Sequence, residues 1–359
     1  MMVEAAFVGN PSAFVQAIYS SPGHPAALII HGAGAYSGLY LPFAFQLAIS
    51  GISAILIDLP GHGLSDGLAG DIERYEAYLP AMEDALGWAI DLLKPTRLYV
   101  IGESYGGVLA VHLARKRDVD GIILSSPSFD IQIPQWKRRL VLALGRWIPW
   151  LRVPIGPTEE TSIHPAAAEI VKRNPLIHRR LTARYVSELL RAGRDAIELA
   201  KSLKTPVLFL VSAGDRVVDN GVAWNAYNSI PHEHKRWVVK DGQSHALLID
   251  YPEWAAEQVY EWIARELAWE GLEKDGQERG YLARRAWGMW KNGISRVVER
   301  GLKRKFEARC ISNHYHLAMN GISFHAGAPD FPRDRFSSAK FCQPHLLPES
   351  IPESSRSII

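Results

Sequence analysis

Over the first 270 residues, short apolar blocks alternate with longer amphipathic ones. Runs rich in Ile, Leu and Val stand at 26–30, 54–57, 97–101, 121–124, 206–211 and 236–239, flanked by Gly, Pro or Asp. Short continuous apolar runs of this kind are expected of strands buried on both faces of a parallel sheet. Between them, 40–50, 74–93, 105–116 and 252–266 carry apolar residues at helical spacing. Strands alternating with helices build βαβ units. The pattern therefore predicts an α/β protein with a mostly parallel central sheet flanked by helices. Residues 14–19 are expected in an antiparallel edge pair near the N-terminus.

The alternation breaks once. Between Phe129 and Thr205 there is no clear strand, only helix-like apolar and basic text. An insertion of this size reads as a helical cap set over one end of the sheet after the sixth strand. The expected organisation is a core of residues 1–129 and 205–270, a cap or lid of 130–204, and an extension of 271–359. The extension begins with a basic amphipathic stretch (Trp287, Trp290, Ile294, Val298, Leu302, Phe306 among Arg and Lys). After Cys310 it turns Ser- and Pro-rich, and disorder is expected there.

Composition narrows the function class. A hydrophobic fraction of 47% and a charged fraction of 22% are ordinary for a globular chain. A formal net charge of +2 offers no reason to expect nucleic acid as a partner. The charge is uneven, however. Residues 271–359 hold 15 Lys/Arg against 9 Asp/Glu, and residues 1–270 hold 25 against 29. Only two cysteines occur, Cys310 and Cys342, which excludes a disulfide framework and suggests a reducing compartment. The N-terminus lacks the basic and apolar regions of a signal peptide, and no apolar stretch reaches the ~18 residues of a membrane span. A cytoplasmic placement, with peripheral membrane contact open, is the expectation.

The strongest chemical signal is Gly102-Glu103-Ser104-Tyr105-Gly106, which follows one predicted strand and opens a helix. That context marks a nucleophile elbow. The serine takes a strained backbone conformation that lifts its hydroxyl clear of the sheet, and Gly102 and Gly106 supply the clearance. A serine hydroxyl needs an adjacent base, here a His oriented by a buried carboxylate. After an elbow the chain order is serine, acid, histidine. Asp215 follows the strand at 206–211, and His245 follows the strand at 236–239. Asp219 competes for the acid role but is better placed to cap the next helix. His62, in Asp58-Leu59-Pro60-Gly61-His62-Gly63, falls too early in the chain for the base and is expected to hold its loop. His112, His164 and His178 are read as histidines outside the site, and His232 and His234 as turn residues. No cluster has metal-ligand spacing.

Acyl transfer also needs two preorganised donors for an oxyanion. One is the backbone N–H after the nucleophile, Tyr105. The other comes from the early loop His31-Gly32-Ala33-Gly34, where Ala33 is the candidate.

Taken together, the His31–Gly34 loop with Ala35-Tyr36-Ser37-Gly38-Leu39-Tyr40, the 58–65 segment, the elbow, Asp215 and His245 resemble the monoacylglycerol lipase and lysophospholipase branch of the α/β-hydrolase superfamily. Arg173-Asn174-Pro175-Leu176-Ile177 in the cap resembles an Asp-Pro-Leu segment of that branch. The resemblance covers about residues 10–270. It implies the α/β-hydrolase fold and a Ser104, Asp215 and His245 triad. It also implies oxyanion donors Ala33 and Tyr105, no cofactor, and an acyl-glycerol or similar ester substrate. Glu103 and Tyr105 stand where animal members usually have His and Met, which alters the acyl pocket. Gly32, Glu103, Trp147 and Ile148 are the candidate substrate-binding residues.

The expectation is a serine hydrolase that cleaves monoacylglycerol or lysophospholipid-type monoesters through an acyl-enzyme. The alternatives are a small-ester or aromatic-monoester carboxylesterase, an acyltransferase, and a non-enzymatic ligand-binding protein on this fold. The stretch 135–151 sets Trp136, Leu140, Leu144, Trp147 and Trp150 among Lys137, Arg138, Arg139 and Arg146. Such a face either rests on a membrane or packs on the core and lines the pocket.

Overall fold

The structure, a computed structural model, describes residues 1–154, 174–231 and 233–266. The first six strands belong to one sheet. They are β1 (Met2–Val8), β2 (Ala13–Tyr19), β3 (Ala26–Ile30), β4 (Ser53–Ile57), β5 (Leu98–Glu103) and β6 (Gly121–Ser125). Helix α1 (Leu41–Ile49) separates β3 from β4, α2 (Tyr78–Leu93) separates β4 from β5, and α3 (Tyr105–Ala114) separates β5 from β6. Between β6 and the next sheet strand stand α4 (Gln135–Trp147), the short strands β7 (Arg152–Pro154) and β8 (Arg180–Thr182), and α5 (Ala183–Ala200). The frame resumes with β9 (Val207–Ser212), α6 (Asn220–Ser229), β10 (Lys235–Lys240), α7 (Leu247–Asp250) and α8 (Pro252–Glu266).

The main sheet has eight strands in the order β1-β2-β4-β3-β5-β6-β9-β10. Pairing is parallel from β4 to β10. Strand β2 is antiparallel to both β1 and β4. This is the mostly parallel α/β-hydrolase sheet expected from the alternation. The apolar runs become strands because both faces are covered: every residue of β3, β4, β6 and β9 is buried. One face carries α2, α3, α5 and α6, with Met82, Leu109, Val186 and Phe209 in its core. The other carries α1, α7 and α8, with Phe43, Leu247 and Trp262.

Three differences from the sequence pattern have simple causes. Strand β1 is an exposed edge strand, so it lacks a buried run. The 130–204 segment is not wholly helical, because β7 and β8 pair antiparallel. Three residues per strand are too few to show periodicity. Helices α6 and α7 are short, and the start of α6 is set by a local polar contact: Asp219 caps it by accepting Gly221 N–H at 2.8 Å and Val222 N–H at 3.3 Å.

The inserted segment is tied to the core by charge. Buried Asp71 accepts from Thr182 Oγ1 at 2.5 Å and pairs with Arg184 at 2.5 Å, while Thr182 caps α5 through Tyr185 N–H at 3.1 Å. Arg191 of α5 pairs with Glu76 at 2.5 Å. On the far side none of the α4 side chains is buried. Trp136 is 64% exposed, and Trp150, just beyond the helix, is 70% exposed. His164, His232, Cys310, Cys342, Arg173 and the whole 271–359 extension lie outside the described residues.

Candidate active site

The site residues collect where parallel strands end, the edge at which α/β sheets place their chemistry. Strand β5 ends on Glu103, and Ser104 follows with φ 55° and ψ −116°. That is a left-handed conformation that a non-glycine residue adopts only under constraint. The constraint is visible. Ser104 N–H donates to Ser125 O at 2.8 Å, and Ser104 O accepts from Gly107 N–H and Ser128 N–H. A Cβ on Gly102 would overlap the Gly106 carbonyl, and one on Gly106 would overlap the Ile30 carbonyl. Both glycines are therefore steric requirements of the turn. Ser104 is half-buried between fully buried neighbours.

Past the ends of β9 and β10, Asp215 and His245 meet. His245 Nδ1 lies 2.8 Å from Asp215 Oδ2. The other carboxylate oxygen, Oδ1, accepts Val217 N–H at 2.8 Å and Val218 N–H at 3.2 Å. Both residues are buried. Burial alone would raise the Asp215 pKa. The bond and charge of His245 and the two backbone donors outweigh it and hold the carboxyl below the usual carboxylate range. Asp215 is thus an anion, and its geometry assigns the Nδ1 proton to His245 and leaves the Nε2 lone pair open. Asp219, the rival carboxylate, is occupied at its helix cap.

The early loop is bound on every side. His31 Nδ1 donates to Gly32 O at 2.8 Å, and its Nε2 accepts Leu59 N–H at 3.0 Å. Burial lowers the His31 pKa and pushes that of His62 well down, so both rings are neutral. Asp58 accepts Ser37 N–H at 2.7 Å and Leu64 N–H at 2.8 Å. From the insertion, His178 N–H donates to Gly34 O at 2.8 Å, and Asn174 Nδ2 donates to Tyr36 Oη at 2.8 Å. Gly32 adjoins Ser104: a Cβ there would stand 3.3 Å from Ser104 Cβ. Its N–H is already given to Tyr40 Oη at 3.2 Å. Ala33 is the next residue in this braced loop. Tyr105 opens α3, so its N–H has no intrahelical acceptor. Its buried ring packs edge-on to Tyr78 and Tyr185.

The remaining candidates fall elsewhere. Trp147, 74% exposed, and Ile148 stand at the solvent-facing end of α4. Glu103 is buried with protein partners: Oε1 accepts Ser125 Oγ at 3.1 Å and Leu248 N–H at 2.8 Å. His112 is buried against α5, with Nε2 3.0 Å from Ala192 O. Ser125 and Leu248 were not marked by any sequence motif, since their roles depend on long-range contacts. Among the described residues, no group of three or more His, Cys, Asp or Glu could hold a metal ion. No helix among them is long and apolar enough to cross a membrane.

Comparison with known proteins gives the family. Residues 23–252 match the Hydrolase_4 family, described as serine aminopeptidase, S33. The chain belongs to that family. It is 26% identical to phospholipase YtpA of Bacillus subtilis (strain 168) over 227 residues, 61% of this chain and 87% of the relative. It is 23% identical to monoglyceride lipase of Rattus norvegicus over 258 residues, 68% of this chain and 85% of the relative. The crystal structure of Paleococcus ferrophilus monoacylglycerol lipase superposes with a TM-score of 0.61 at 22% identity, covering 74% of this chain and all of that one. This member of the α/β-hydrolase superfamily is thus a hydrolase of the lipase and esterase type, similar to monoglyceride lipases and phospholipases.

Proposed function

We propose that the chain is a serine ester hydrolase acting on monoacylglycerol or lysophospholipid-type monoesters. The observation that carries the reading is the 2.8 Å contact of His245 Nδ1 with Asp215 Oδ2, at the same sheet edge as a strained Ser104. In this reading His245 Nε2 takes the Ser104 proton as Oγ attacks the ester carbonyl. The tetrahedral oxyanion is held by the N–H groups of Ala33 and Tyr105. Collapse returns the proton to the departing alcohol and leaves an acyl-Ser104. Water, deprotonated by His245, then releases the fatty acid. The chemistry needs no cofactor.

The inserted segment 130–204 acts as a lid over this edge. Its exposed Trp136, Leu140 and Trp150, with Lys137 and Arg139 beside them, fit the surface of a membrane that holds the substrate. Lipases and phospholipases among the relatives support a lipid substrate. A carboxylesterase of small or aromatic esters would use the same residues, as would an acyltransferase that admits an alcohol in place of water.

The test pairs purified protein with its Ser104→Ala variant. Substrates are p-nitrophenyl esters of two to sixteen carbons, monoacylglycerol, lysophosphatidylcholine and an aminoacyl p-nitroanilide. Turnover of the long monoesters that disappears in the variant is the expected result. An optimum at short or aromatic esters would favour the carboxylesterase. Cleavage of the anilide alone would favour a peptidase. No serine-dependent turnover would refute the hydrolase reading.

A further inference from the structure

The buried carboxylate beside the nucleophile has no part in the scheme above. Glu103 is 2% exposed, and each of its described partners is a donor. Leu248 N–H reaches Oε1 at 2.8 Å across 145 residues of sequence, and Ser125 Oγ reaches the same oxygen at 3.1 Å. The Tyr40 hydroxyl hydrogen-bonds the same carboxyl and accepts Gly32 N–H at 3.2 Å.

These partners lie in the three segments that carry the chemistry. Leu248 is three residues after His245, in α7. Gly32 belongs to the loop that presents Ala33. Ser125 ends β6, and its carbonyl holds Ser104 N–H at 2.8 Å. The turn bearing His245 is held at a second point as well, because Ser244 Oγ donates to Asp250 Oδ2 in a short bond. An acyl-transfer site depends on the relative placement of nucleophile, base and oxyanion donors to a fraction of an ångström. One buried group that links all three is suited to set that placement.

We propose that Glu103 is a positioning residue for this site. Its carboxylate, by accepting Leu248 N–H and bonding Tyr40, fixes the His245 turn and the oxyanion loop relative to Ser104. The inference rests on the serine-hydrolase reading. It also ties activity to the charge on Glu103. A neutral carboxyl is a poorer acceptor for three donors than a carboxylate. Burial pushes its pKa up to about 7, against the bonds from Leu248, Tyr40 and Ser125 and the charge of His245, which favour the anion. The titratable groups facing it are Tyr40, from the turn before α1, and His245, from the turn before α7. Ser125 of β6 and Leu248 of α7 face it as uncharged donors. Because a positive His245 favours the Glu103 anion, that anion also favours the imidazolium that forms as Ser104 attacks.

The experiment compares full-length wild type, Glu103→Gln, Glu103→Ala and Ser104→Ala. Two rates are read from pH 5 to 9: hydrolysis of p-nitrophenyl butyrate, and labelling by a fluorophosphonate, in which Ser104 Oγ displaces fluoride whatever the natural substrate. Glutamine keeps an acceptor oxygen but cannot ionise, and alanine removes the acceptor. The expected order of kcat is wild type, Gln, then Ala. The Ala loss should be roughly 10–100-fold, with KM within about twofold. The acid limb of wild type should be steeper than that of Gln by the one proton that Glu103 takes up. The Gln variant decides the matter even if Ala does not fold. Acid limbs of equal steepness in wild type and Gln, with equal rates, overturn the inference. Absence of Ser104 labelling in wild type overturns the hydrolase reading and this inference with it.

Discussion

Asp215→Asn probes the site with the least disturbance of shape. The two backbone donors, Val217 N–H and Val218 N–H, both point at Oδ1. An asparagine must place its carbonyl oxygen there, because an NH₂ group facing two N–H donors would leave all of them unpaired. The amide nitrogen then faces His245 Nδ1, where Oδ2 stood at 2.8 Å. The amide donates, so Nδ1 must become the acceptor and the ring proton moves to Nε2. His245 can no longer take a proton from Ser104. The expected loss in kcat is about 10⁴-fold, or about 5 kcal/mol of transition-state stabilisation. Hydrogen bonds are exchanged rather than deleted, so folding stability should change by only about 1 kcal/mol. The assay is the initial rate of p-nitrophenyl ester hydrolysis, corrected with Ser104→Ala, alongside urea unfolding and ¹⁵N NMR of the imidazole. Asp219→Ala is the control. It loses a helix cap worth about 1 kcal/mol and should keep its activity. If folded Asp215→Asn retains more than a tenth of the wild-type kcat, Asp215 does not set the His245 tautomer.

Two further outcomes follow from burial. Glu103 titrates near 4.5 when unfolded and at about 7 when folded, so the folded state binds the extra proton between those values. Stability should therefore fall as pH rises from 4.5 to 7, by up to about 3 kcal/mol; Glu103→Gln should flatten that part of the Tm profile, and an equal slope in both proteins would refute the burial argument. At the start of α4 and just beyond its end, Trp136→Ser with Trp150→Ser should lower co-sedimentation with anionic liposomes several-fold while leaving p-nitrophenyl acetate hydrolysis unchanged; undiminished binding would remove these residues from any membrane contact.

Local rules made much of the frame legible. Ile and Leu runs such as 26–30 and 54–57 can be buried on both sides only as interior strands, and that holds whatever the neighbours are. The glycines at 102 and 106 were legible because a tight turn excludes a side chain at both points. Asp215 and His245 could be nominated from their places after predicted strands. Other features gave no local signal. The pairing of β7 with β8 is three residues long. His112 sits on an amphipathic helix in sequence, yet its ring is buried because α5 packs across it. Glu103 reads in sequence as a substrate-binding candidate, and its bonds to Leu248 and Ser125 leave no local trace.

By itself the sequence determined most of the order of sheet strands and flanking helices, the elbow around Ser104 and the candidate places of Asp215 and His245. Periodicity and steric exclusion act over a few residues, and they leave their mark wherever the chain goes. The tertiary structure decided which distant groups meet. It joined Asp215 to His245 across 30 residues and Glu103 to Leu248 across 145. It also occupied Asp219 with a helix cap and left Trp136 and Trp150 facing solvent. The physical reason is that a hydrogen bond between remote segments depends on where several strand ends converge. That convergence is a property of the packed sheet and is written in no single stretch of chain.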